Sequence, residues 1–277
     1  MDDGSAPVLP PELERMIFEL AAWWHPETIH SLILVARRVC IWVEPCLYRV
    51  SICRTGPERD SLLRMVESKQ PAYLATHVHH LALSCALGSD QVSRILSICT
   101  GVRDLALWTG YTYPELLADL QQLKQLRRLS VNLRELCKTP MGTFAIPSAV
   151  ELEPFAYLTH LDVFSELPES LWPIFQLLPS LTHLSFSEDL YIQALVIMVL
   201  ETCTSLQAVI FICDFNVLWE EPPEIPDPRF CVVACPNFHE DWQLGALGKE
   251  ADFWARADQF IATKRRGEID ESIYAIP

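Results

Sequence analysis

Val78-His79-His80-Leu81-Ala82-Leu83 has the form apolar-x-x-apolar-x-apolar, and the same phrase returns down the chain. It recurs as Val102-x-x-Leu105-x-Leu107, Leu126-x-x-Leu129-x-Val131, Leu158-x-x-Leu161-x-Val163, Leu181-x-x-Leu184-x-Phe186 and Leu206-x-x-Val209-x-Phe211. A weaker seventh copy is Arg229-x-x-Val232-x-Ala234. The middle positions 81, 105, 129, 161, 184, 209 and 232 step by 24, 24, 32, 23, 25 and 23 residues. Alternating apolar positions predict a short strand in each copy, and each interval leaves room for a return segment. Units this small cannot bury their own apolar faces, so they must stack on one another. Between the strands, 90–99 places Val92, Ile95 and Leu96 at helical spacing, and Pro114 opens a turn before Leu116, Leu117 and Leu120. Helices are likewise expected over 168–178 and 189–202. The 32-residue step predicts an extra loop or helical turn between 132 and 157.

Strand parity assigns an outward face. Its polar and aromatic members are His80, Asp104, Trp108, Arg128, Asn132, His160, Asp162, Phe164 and His183, which form a candidate surface for reading a protein ligand, with Trp108 and Phe164 as anchors. In the last two copies the outward positions turn apolar, at Ile210, Ile212 and Val233. An exposed patch of that kind would promote aggregation, so the C-terminal segment is expected to pack there. The pattern resembles the leucine-rich repeat family in an irregular form. It lacks the asparagine usual after the strand in most copies, Asn132 alone approaching it. The resemblance implies an α/β solenoid of parallel strands with helical returns over 51–235.

The N-terminus reads differently. Pro10 and Pro11 suit a first helical turn, and Leu13, Met16, Ile17 and Leu20 follow at i, i+3, i+4 and i+7. Pro26 stops that helix. A second is expected over 27–37 and a third over 39–48, then a capping strand at Val50-x-Ile52 and an amphipathic helix over 59–69. Three short helices, apolar on more than one face, cannot close a private core cheaply. Leu9-Pro10-Pro11-Glu12-Leu13 with Ile17-Phe18-Glu19-Leu20, followed by Val39-Cys40-Ile41-Trp42, resembles an F-box over 8–50. It departs from the family pattern at Glu14 and at Ala36-Arg37-Arg38. The resemblance implies docking to the Skp adaptor of a cullin–RING ubiquitin ligase through Leu9, Pro10, Leu13, Ile17, Leu34, Val35, Val39 and Trp42, while the repeats select an unidentified protein substrate. The alternative is a non-ligase interaction scaffold in which these helices only cap the repeats.

The remaining segment, 236–277, carries Phe253, Trp254, Ala257, Phe260 and Ile261 on one face of a helix expected from about Lys249, and a repeat array needs a terminal cap. This stretch is similar to the ends of F-box-like proteins abundant in mushroom-forming fungi, which implies a fungal origin. Lys264-Arg265-Arg266 reads as a solvated helix end, with a localisation signal as the other reading.

Composition narrows the classes further. The 277 residues are 50% hydrophobic, enough for a packed core. With 36 acidic and 21 basic residues the formal charge is −15, which argues against nucleic acid or an anionic membrane as partner. Ten cysteines lie mostly within apolar runs and no export signal is read at the start, so reduced thiols in the cytosol or nucleus are expected. No phosphate loop, nucleophile elbow or paired-carboxylate setting is present. Cys231-x-x-x-Cys235-x-x-x-His239 fits no common zinc spacing. The expectation is a chain with no enzymatic activity, cofactor or metal.

Overall fold

The computed structural model of this protein describes residues 9–84, 87–109, 115–187, 192–213, 225, 227–270 and 272–276. The chain forms two compact units, Met1–Val50 and Ser51–Pro277.

In the first unit, Pro11 opens α1 (Pro11–Trp24) where its missing N–H costs nothing, with Glu12 and Glu14 against the helix dipole. Pro26 begins a 3-10 turn, Pro26–Thr28, that leads into α2 (Ile29–Leu32). The second and third helices are shorter than expected. Ala36 is extended (φ −160°, ψ 155°), so the chain leaves the helix after Leu32 and re-enters it only at α3 (Arg37–Val43). Pro45 lacks a donor, and the last turn runs as the 3-10 segment Glu44–Leu47. Ala22, Ile29, Val39 and Val43 form the buried centre, with Phe18, Leu32, Ile33, Trp42 and Leu47 packed against it.

In the second unit, nine strands among the described residues make one open sheet in chain order. The chain runs from β1 (Val50–Cys53) through α4 (Gly56–Ser68) and α5 (Pro71–His77) to β2 (His80–Leu83). Then come α6 (Ser89–Ile98), β3 (Asp104–Leu107), α7 (Leu116–Leu120) and β4 (Arg128–Val131). Thr55 caps α4 with a capping box on Glu58, which fixes where the first return begins. The long step is filled by α8 (Leu133–Leu136), a turn closed by the Lys138–Phe144 bridge, and α9 (Ala149–Leu152). β5 (His160–Val163) and β6 (His183–Ser187) are joined by a 3-10 helix, Glu169–Leu177, because Pro173 inside it blocks the regular ladder. α10 (Ile192–Thr202) leads to β7 (Ala208–Cys213) and β8 (Phe230–Ala234). The expected turn at Pro114 and the helix start at 189 lie outside the described residues.

Strands β2 to β8 pair in parallel, and Leu81, Leu105, Leu129, Leu161, Leu184 and Val209 share one register row. All six are buried, as the repeat phrase requires. The seventh copy sits two residues away from its expected register. Val209 pairs with Phe230 and Phe211 with Val232, so Phe230 occupies the middle position.

The segment from 236 is part of the second unit. It folds as α11 (Phe238–Leu247) and α12 (Phe253–Arg265), then β9 (Ala275–Ile276), which pairs with β8. α12 lies against the outward face of β7 and β8. There Ala208, Ile210, Ile212, Cys231, Val233 and Cys235 form one buried cluster with Phe253, Trp254, Ala257, Phe260 and Ile261. The apolar outward patch thus draws the tail onto the sheet, as its exposure cost demands. Lys264 departs from the solvated reading: it is 6% exposed, while Arg265 donates to the Gln207 carbonyl and Arg266 pairs with Glu268. Among the described residues, no helix is long and apolar enough to cross a membrane.

Candidate functional site

Two surfaces carry the residues singled out by sequence, one in each unit. On the first, α1 presents Leu13, Met16, Ile17, Leu20 and Trp24 to solvent, and Leu9 and Pro10 before it are exposed as well. Leu34 (83% exposed) and Val35 stand out from the turn before α3. The periodic stripe on α1 therefore does not face its own unit's core. Val39 and Trp42 do. Val39 is fully buried in the centre of the unit and Trp42 packs against that centre.

The two departures from the F-box pattern answer one another. Arg38 Nε and Nη2 donate to Glu14 Oε2 and Oε1 at 2.9 and 2.6 Å, a bidentate pair tying α1 to α3. The Arg38 hydrogen bonds hold the Glu14 carboxyl below its ordinary range.

On the second unit, the outward face of β2 to β6 is largely covered. The C-terminal helices lie on it, and Asp104, Asp162 and His183 are buried while His80, Trp108, Arg128, His160 and Phe164 are half-buried. Trp242 of α11 donates its indole N–H to Asp104 Oδ1 at 3.1 Å, and His80 Nδ1 lies 3.3 Å from the other oxygen. Trp108 meets Phe238, His239 and Trp242 edge-on, with ring centroids 5.3, 4.7 and 5.7 Å away. Arg128 Nη1 donates to Asp252 Oδ2 at 2.7 Å, and Asp252 Oδ1 caps α12. His183 Nε2 donates to Asp258 at 2.9 Å, and the His160 and Trp254 rings meet edge-on with centroids 5.0 Å apart. Asn132 does local work, accepting from the Glu135 N–H at the start of α8.

Asp162 is the centre of this layer and is 2% exposed. It accepts from Ser130 Oγ at 2.5 Å and from Ser185 Oγ at 2.7 Å, and Trp108 Nε1 donates to Ser130 at 2.8 Å. Burial pushes its carboxyl up to about 6 against the opposing pull of the two serine hydroxyls. Burial, together with the His183 and Arg128 charges, pushes His160 down to about 2.

Strand parity finds the strand half of this layer; of the half supplied by the tail, the helix pattern names Trp254 and misses Phe238, Trp242, Asp252 and Asp258. The spacing of Phe238, Trp242 and Ala246 on one helix face was the available signal. Cys231 and Cys235 face the apolar cluster, and burial pushes both thiols up to about 12, which leaves them protonated and poor ligands at neutral pH. Among the described residues no three His, Cys, Asp or Glu side chains are grouped to hold a metal ion. No family model matches the chain, and no curated protein matches it.

Proposed function

We propose that this protein is the substrate-recognition subunit of a Skp–cullin–F-box ubiquitin ligase. Its N-terminal helices are an F-box module that docks a Skp-type adaptor, and its second unit is an irregular leucine-rich-repeat domain that holds the protein target. The observation carrying this reading is the exposed apolar stripe of Leu13, Ile17, Leu20 and Trp24 on α1, together with the exposure of Leu34 and Val35 in the same unit. A soluble module gains nothing by leaving such a stripe in water, and a contiguous apolar face of this kind marks a protein interface. The Glu14–Arg38 pair joins α1 to α3 and is compatible with this reading and with the alternative of a scaffold whose helices only cap the repeats. The chain transfers no group itself. It acts by holding a target beside the ligase, which turns a collision between two proteins into an intramolecular event.

The test is co-purification of the full chain with a Skp adaptor. Ile17→Asp with Leu34→Asp abolishes it while the far-ultraviolet circular dichroism is unchanged. Undiminished capture by the double variant would sink this docking mode and leave the helices as a cap on a scaffold.

A further inference from the structure

The two tail helices are held to the sheet in unlike ways. α12 buries Phe253, Trp254, Ala257, Phe260, Ile261 and Lys264, most of them in the apolar cluster on β7 and β8. α11 buries only Trp242 and Ala246. It is flanked by exposed chain on both sides, Pro236 and Asn237 before it and Gly248 to Ala251 after it, with Gly248 in the left-handed region at φ 68°. Its ties to α12 are Asp241, which accepts from the Phe253 N–H and pairs with Arg256, and the half-buried Phe238, whose ring centroid lies 5.5 Å from that of Phe253. Segments with few buried side chains and exposed ends open first.

The ground beneath α11 is shaped for a helix. Two small outward residues, Ala82 and Ala106, are fully buried. Beside them Asp104 presents a carboxylate to the indole N–H, and His80 and Trp108 flank that indole at ring centroid distances of 6.4 and 5.7 Å. Phe238 and Trp242, four residues apart, fill the site from one face of α11.

We infer that α11 is a displaceable internal occupant of a helix-binding groove on β2 to β4. The groove accepts in its place an amphipathic helix of a partner protein with aromatic side chains at i and i+4, the second a tryptophan. α12 stays in place as part of the core. The covered state is the resting state, because the tethered helix acts at an effective concentration in the millimolar range that a free partner must overcome. This inference stands apart from the ligase reading, since nothing in it requires the N-terminal unit to bind an adaptor.

A fluorescein-labelled peptide of residues 236–249 tests it on the full chain. Trp242→Ala removes the buried side chain that anchors α11 in the groove through Asp104. Gly245→Ala dislodges the same helix without removing a side chain, because the added Cβ would lie 2.6 Å from Asp252 Cβ. Both variants should bind the peptide at least about tenfold more tightly than the unaltered chain does, and adding Asp104→Asn to either should weaken binding at least about tenfold. Hydrogen exchange on the unaltered chain should show the amides of 242–247 exchanging at least about tenfold faster than those of 257–264. Equal protection of the two helices, or a peptide that binds neither variant more tightly than the unaltered chain, overturns the inference.

Discussion

His160 and His183 stack ring on ring, 4.2 Å apart and 3° from parallel, at one register position of β5 and β6. Two imidazolium ions cannot share that geometry, and His160 is kept neutral, down to about 2. One row along, Asp162 titrates at about 6. Their linkages to stability have opposite signs. The folded His160 refuses a proton that the unfolded chain accepts below about 6.5, so its contribution is present above pH 6.5 and is lost as pH falls toward 2. The folded Asp162 holds a proton down to the unfolded value near 4, so its contribution grows as pH falls from 6 toward 4.

Measured against the parent at pH 6.5 and 4.5, His160→Gln should therefore gain relative stability on acidification and Asp162→Asn should lose it. Each difference is at most about 1.4 kcal/mol per pH unit. Urea midpoints at the two pH values decide the matter, and differences of the same sign in both variants would contradict the assignment.

Gly101 lies in the turn before β3, and a Cβ there would meet the Ala75 carbonyl oxygen at 1.9 Å. Backbone cannot yield as a flexible side chain can. Gly101→Ala should destabilise the second unit by about 1–3 kcal/mol or more. Gly56, at the first turn of α4 with nothing within 4 Å, is the matched control. Gly56→Ala should be neutral, or stabilising by up to about 1 kcal/mol. Thermal unfolding of the two variants separates them, and equal shifts would refute the close approach.

The strands were legible because the repeat phrase states burial directly, residue by residue, and six copies agree in register. The seventh slipped because Asp227 stands at the first position of the true copy, where the phrase wants an apolar residue. The pattern then slides two residues to Arg229, which in the structure pairs with Asp227. The helices of the first unit were legible in type and overextended in length, since apolar spacing marks a face and does not mark where Ala36 turns extended. The outward layer was half legible. His80, Asp104 and Arg128 look the same in sequence whether they face water or a tail, and the residue that distinguishes the cases for Asp104 is Trp242, 138 positions away.

Val39 and Leu34 separate folding from docking within the first unit. Val39 is 0% exposed, so Val39→Ala removes packed methyl groups and should cost that unit about 1–3 kcal/mol. Leu34→Ala should change stability by no more than about 0.5 kcal/mol, as exposed substitutions do, while weakening adaptor capture. Urea unfolding beside a pull-down reads both effects. A Leu34 variant that unfolds the unit as Val39→Ala does would show that the exposed stripe is structural.

The tail belongs to the core, and its removal is not equivalent to trimming a terminus. Phe253 and Phe260 lie in one buried cluster with Ile210, Ile212 and Val233. Phe253→Ala should cost about 3–5 kcal/mol, the usual loss for a buried phenylalanine. Phe238, half-buried at the start of α11, should cost less than half of that when replaced by alanine. Deleting 236–277 would bare the Ile210, Ile212 and Val233 patch, and the truncated chain should go to the insoluble fraction. Full recovery of soluble, monomeric protein from that deletion, or equal losses at Phe253 and Phe238, would mean that the outward face of β7 and β8 tolerates water and that the tail is held there by something other than apolar burial.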